Sequence, residues 1–248
     1  MNNMRPYAGF SLVELSIVLV ILGLLTGGIL GGQSLIRAAE LRSVSNDFAR
    51  YSTAVYTFRD KYFQLPGDMN NATAFWGTLA GDGTNTTCQN TAATAAPTCN
   101  GNGDGRIFIS VVATGYDERW RSWQHLANAG LVEGNYTGLE SSTTNRQPKG
   151  KISASVFDLV YESPDTNLYA AGTKANVNTI AMYGALLPPE EAWNIDTKLD
   201  DGSPVYGRVW ANKRTSAVAP NCVTSDADNA TYDFTNKSKL CVSHYGMF

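Results

Sequence analysis

Histidine is almost missing from this 248-residue chain: His125 and His244 are the only two, and neither has an evident triad setting. Cysteine is scarce too, and its four copies show no C-x2-C-like spacing, which argues against a Cys/His zinc site. No serine sits in G-x-S-x-G and no Walker-type phosphate loop occurs. Base is not in excess either: the formal net charge is −3. A nucleic-acid surface needs a positive field, and Lys149 with Lys151, Lys213-Arg214, and Lys237 with Lys239 read as solvated surface. The neighbouring carboxylates Glu190/Glu191 and Asp200/Asp201 lie where a helix start and a turn favour acids. These absences point away from an enzyme and away from nucleic acid.

Charge is also missing from one long stretch. From Phe10 to Gly32, 23 residues, the only formal charge is Glu14, and at 1.5 Å per residue such a helix is long enough to cross a bilayer. A carboxylate inside a span costs about 2.5–3.5 kcal/mol on insertion scales, so it needs a partner or a purpose. The preceding residues, MNNMRPYAG, form a polar leader with one basic residue, Arg5, and a small residue, Gly9, placed before the apolar region. Cleavage after Gly9 would keep the anchor, whereas an ordinary secretory signal loses it. Gly23, Gly27 and Gly31, with Gly28 and Gly32 one position over, make small-xxx-small faces that let helices approach closely in lipid.

The run G-F-S-L-V-E followed by an apolar helix resembles the type III signal of type IV pilins and of the pseudopilins of type II secretion. Its three parts are glycine before the cut, an aromatic after it, and glutamate as fifth residue of the mature chain. The resemblance implies a prepilin peptidase that cuts after Gly9 and N-methylates Phe10. It also implies an assembly role for Glu14, whose carboxylate would meet the α-amine of Phe10 on a neighbouring subunit, turning two buried charges into a pair. Further implications are an inner-membrane assembly platform, a lipid-embedded single-pass anchor, a periplasmic head and a homo-oligomeric filament. Rival readings are a type II secretion pseudopilin and a tethered binding protein that never polymerises.

Past the span, Leu41, Val44, Phe48, Tyr51, Val55, Phe58 and Tyr62 recur at alternating spacings of three and four. This seam predicts that one helix runs over 10–63, spanning the membrane at 10–32 and packing under a head formed by 64–248, until Leu65-Pro66-Gly67 stops it. The predicted class is α+β, with a long N-terminal helix and an antiparallel sheet in the head. Expected elements are a helix over 117–129, strands over 151–161, 177–183 and 205–211, and a helix beginning near Pro188. The pairs Cys88–Cys99 and Cys222–Cys241 would each close a polar loop poor in core residues, which suits an oxidising compartment; three pairings are open. Asn100-Gly-Asn102-Gly-Asp104-Gly105 fits the first half of a calcium loop, with oxygen ligands at alternate positions. Position 12 is Val111 rather than glutamate, so calcium affinity is expected to be low unless Asp82, Asp117 or Glu118 folds back. Major pseudopilins of the resembled family bind calcium in their heads.

Overall fold

A computed structural model describes residues 9, 11–79, 92–93, 96–108, 118–139, 145–152, 154–162, 176–212, 222–225, 229–238 and 241–247. The chain divides into two compact units, Met1–Glu40 and Leu41–Phe248. Helix α1 (Leu12–Tyr62) contributes to both.

In the first unit the apolar side chains from Leu12 to Ile36 are exposed, Leu12 to 86%. At Gly23, Gly27, Gly28, Gly31 and Gly32 nothing lies within 4 Å of where a Cβ would stand, so the small-residue faces are open to a partner. Hydroxyls along this stretch are absorbed by the helix itself: Ser16 donates to the Val13 carbonyl (2.9 Å), Thr26 to Leu22 (2.9 Å) and Ser34 to Gly31 (2.9 Å). In a hydrocarbon solvent each unsatisfied polar group would cost several kcal/mol, so this back-bonding suits lipid. Among the described residues α1 is the one helix long and apolar enough to cross a membrane.

In the second unit the α1 seam is buried as its spacing predicts: Leu41, Val44, Phe48, Tyr51, Val55 and Phe58 are core, and Tyr62 is half-buried at the end. The seam packs on a four-stranded antiparallel sheet of order β1-β2-β4-β3, formed by β1 (Val156–Glu162), β2 (Val177–Leu187), β3 (Val209–Asn212) and β4 (Cys241–Gly246). Phe48 meets Phe157 edge-on (5.5 Å) and stacks on Tyr245 (5.8 Å), which identifies the helix-facing side of the sheet. The pairings Leu159↔Ile180, Phe157↔Met182 and Ile180↔Tyr245 then put Leu159, Ile180 and Met182 on that same side. The opposite side carries Asp158, Glu162 and His244, all buried, with His244 Nδ1 3.3 Å from Glu162 Oε1.

Three shorter helices surround this core: α2 (Ala72–Trp76), α3 (Glu118–Asn128), which packs on β1, and α4 (Pro189–Leu199), which packs against β3 and its neighbours. Pro189 opens α4, where its missing N–H costs no hydrogen bond. The Cys222–Cys241 disulfide, with Cα atoms 5.1 Å apart, ties the segment before β4 to the sheet. Cys99 is disulfide-bonded, and Cys88 lies outside the described residues.

Two strands are shorter than their sequence patterns suggest. Ahead of β1, Ser155 N–H donates to the Ile152 carbonyl and Gly150 N–H to the Ser155 carbonyl, so the strand begins only at Val156. Similarly, the Asp200 carboxylate accepts the N–H groups of Arg208 and Val209, which holds 205–208 in an irregular path and delays β3 to Val209. β2 instead runs longer than expected, to Leu187, across an irregularity after Met182. Gly184 there has φ +89, and a Cβ would strike the Ala154 carbonyl oxygen, so only glycine fits.

Candidate functional site

Two groups of sequence-predicted residues lie in this structure, one in each unit. At the N-terminus Gly9 is exposed and non-helical, and Phe10 lies outside the described residues. The Ser11 hydroxyl accepts the Val13 N–H (3.3 Å), and Glu14 Oε2 reaches back to the Ser11 N–H (2.8 Å). This reciprocal pair is a capping box, S-x-x-E, which satisfies backbone donors that a helix start otherwise leaves open. Glu14 therefore has a role within its own chain that its place in the signal motif does not announce. The positive end of the helix dipole favours a carboxylate at this place.

In the head, residues 100–108 wrap around two buried carboxylates. Asp68 Oδ1 accepts the N–H groups of Gly103 (2.7 Å) and Asp104 (3.0 Å), and Oδ2 accepts that of Gly105 (2.9 Å). Glu118, from the first turn of α3, accepts Asn102 N–H on Oε1 (3.0 Å) and Phe108 N–H on Oε2 (3.1 Å). From β2, Asn178 pins the same loop at the Ile107 N–H and the Gly105 carbonyl, 2.9 Å each. Gly101 passes so close to the backbone of Gly67 and Asp68 that a Cβ would collide with both.

Each member of the expected ligand trio accepts a backbone N–H. Asn100 Oδ1 accepts the Thr73 N–H (2.9 Å) near α2, Asn102 Oδ1 accepts the Asp104 N–H (3.0 Å), and Asp104 Oδ1 accepts that of Arg106 (2.9 Å). Asp104 also joins a carboxylate cluster: one oxygen each from Asp68, Asp104 and Glu118 lies within 4.8 Å of the others. Glu118 is thus the residue that folds back, while Asp82, Asp117 and Val111 lie outside the described residues. Asp68 went unread because it is remote in sequence and its segment, Pro-Gly-Asp, looks only like a helix stop.

Burial, with the nearby charges, raises the cost of ionising Asp68 and Glu118. Burial pushes Glu118 up to about 8, with the charges of Asp68 and Asp104 adding to the effect. It pushes Asp68 up to about 6 against the pull of three backbone N–H groups. A hard divalent cation takes oxygen ligands, and the donor set of Asp68, Asp104 and Glu118 fits one; such an ion would offset the mutual repulsion. A second acidic group, Asp196 with Asp200 and Asp201, is committed to structure. Asp196 accepts the Tyr232 hydroxyl (2.7 Å) and the Gly202 N–H (3.1 Å), and burial pushes it up to about 7.

One of the two histidines has a structural place in the core. His125 is fully buried; its Nδ1 accepts the Gly67 N–H (3.0 Å), leaving Nε2 to donate to the Cys99 carbonyl (3.1 Å). Burial drives it down to about 3, so it is a neutral strut between α3 and the turn after α1.

Residues 4–30 match the prokaryotic N-terminal methylation motif, the signature of the prepilin-type signals of type IV pilins and pseudopilins. The match supports a type IV pilin-like or pseudopilin protein, and together with the apolar helix it fits a membrane-anchored one; the family of that motif is structural rather than enzymatic. Neither a curated protein nor a solved structure matches the chain.

Proposed function

We propose that the chain is a type IV pilin-like structural subunit, cut after Gly9 by a prepilin peptidase, N-methylated on Phe10, and drawn by an inner-membrane platform into a filament of its own copies. The observation that carries this reading is the methylation motif running directly into an exposed apolar stretch of helix whose one carboxylate, up to Gly32, is Glu14. A helix with open glycine faces and no intramolecular covering is a surface for lipid first and for identical helices later. The head stands in the periplasm before assembly, where the disulfide Cys222–Cys241 is stable.

Glu14→Val tests the reading. Membrane level and cleavage should be normal, since an apolar residue replaces a costly charge. Filaments should be few, because the neighbour's buried amine would lose its partner, a loss of about 3–5 kcal/mol for buried pairs. Wild-type filament yield from this variant would show that Glu14 snorkels to the headgroups instead of pairing with a neighbour, whereas a native protein that forms no filaments would be a tethered protein that does not polymerise. A second reading, a type II secretion pseudopilin, is supported by the carboxylate-lined loop at Asp68, Asp104 and Glu118. Filaments confined to the periplasm would select it over a surface pilus.

A further inference from the structure

The loop over Asp68 reads Asn100-Gly101-Asn102-Gly103-Asp104-Gly105, three successive pairs of the kind most open to spontaneous backbone chemistry. In an Asn-Gly pair no side chain shields the glycine amide, so its nitrogen can reach the asparagine carboxamide carbon. A C–N bond forms there and ammonia leaves. Water then opens the cyclic imide to aspartate, or to isoaspartate, whose main chain is longer by one methylene. At Asp-Gly the same attack expels water, and rehydration returns aspartate or isoaspartate. No reactant beyond water is needed, and Asn102 and Asp104 are exposed to it.

The fold requires these glycines: Gly101 has no room for a Cβ, and Gly103 and Gly105 have φ +76 and +84. It also occupies each nucleophile. Gly101 N–H donates to the Met69 carbonyl (2.8 Å). Gly103 N–H is shared between the Asp68 carbonyl (2.9 Å) and Oδ1 (2.7 Å), and Gly105 N–H donates to Asp68 Oδ2 (2.9 Å). To attack, an amide nitrogen must give up its proton. At Gly103 and Gly105 the anion so formed would face a carboxylate at hydrogen-bonding distance, which like-charge repulsion opposes. The arrangement recurs in another part of the head: in Asp201-Gly202, the Gly202 N–H donates to Asp196 Oδ1 (3.1 Å). Asp68 and Asp196 are both buried, so the acceptor is held in place while the labile residue stays in water. Among the described residues, every Asn-Gly and Asp-Gly pair has its glycine amide bonded in this way, to a carboxylate or, at Gly101, to a carbonyl.

We propose that Asn102-Gly103 is a latent site of spontaneous deamidation that the Asp68 carboxylate keeps silent, and that Asp196 does the same for isomerisation at Asp201-Gly202. Reaction at Asn102 would add a carboxylate to the loop that carries Asp104, and its isoaspartate form would lengthen the loop that Asp68 and Glu118 hold. Full-length protein in detergent, incubated at pH 8 and then peptide-mapped, tests this. Native Asn102 should remain asparagine, while the same chain unfolded in urea deamidates there. Asp68→Asn keeps the side chain's shape and removes its charge, and should speed deamidation of Asn102 by about ten- to a hundredfold. Asn100 in that variant should keep its native rate, because Gly101 is held by the Met69 carbonyl. Asp196→Asn should raise isoaspartate at residue 201 and leave Asn102 as in the native protein. Equal rates at Asn102 in the folded and unfolded native chain, or a native rate in Asp68→Asn, would overturn the proposal. Acceleration of Asn100 and Asn102 together in Asp68→Asn would also overturn it, since folding of the whole loop, and not this carboxylate, would then be the protection.

Discussion

The native head should lose stability between pH 6.5 and 8 in the presence of a chelator, and replacing Glu118 with glutamine should flatten that loss. Glu118 has an ordinary pKa of 4.5 and is pushed up to about 8 by burial. Between those values the folded state holds a proton that the unfolded state has released, so stability falls as pH rises. His125 acts in the opposite sense. Its pKa drops from 6.5 to about 3, so folding gains stability as pH rises to 6.5 and nothing further above it. The two effects oppose each other below pH 6.5, and only the loss remains above. Asp68, raised to about 6, is already ionised in that upper window. The remaining 1.5 pH units of Glu118 correspond to about 2 kcal/mol, and Asp196, raised to about 7, adds a smaller loss over its first half unit. For a domain of this size that is a fall of roughly 5–10 °C in Tm. All five tryptophans lie beyond residue 75, so fluorescence melting of the full chain in detergent reports on the head. Glu118→Gln should keep only the smaller Asp196 part of the slope. A native Tm that is flat or rises from pH 6.5 to 8, or a Glu118→Gln slope equal to native, would refute the reasoning.

Calcium should reverse the same loss: at pH 8, a concentration about 100 times Kd stabilises by about 2.7 kcal/mol, and Asp104→Asn or Glu118→Gln should abolish the gain, as read by Tm. Phe48→Ala removes a fully buried ring held between Phe157 and Tyr245 and should destabilise the head by about 3–5 kcal/mol in denaturant titration.

The long-range order of this molecule was legible where a repeat or a motif states it. The three-four seam from Leu41 to Tyr62 names the residues that the helix buries, because a helix face is a local property. The signal at Gly9, Phe10 and Glu14 is likewise a contiguous string. The capping box of Ser11 and Glu14 was equally readable as S-x-x-E, but a reading of Glu14 as an intermolecular partner passes over its local bond. Strand β4 gave no such cue. Cys-Val-Ser-His-Tyr-Gly is buried along most of its length, so no polar-apolar alternation marks it. The carboxylate site was half legible for a related reason. Asp104 lies in a loop with a recognisable oxygen pattern, but Asp68 arrives from 36 residues away, and only the fold puts its carboxylate under that loop.

The central claim concerns the first residue of the mature protein, and intact mass with N-terminal peptide sequencing tests it most directly. The account predicts a chain that begins at Phe10, with residues 1–9 removed and one methyl group on the α-amine. A chain that begins at Met1, or one cut after residue 25 with the apolar helix lost, would contradict it.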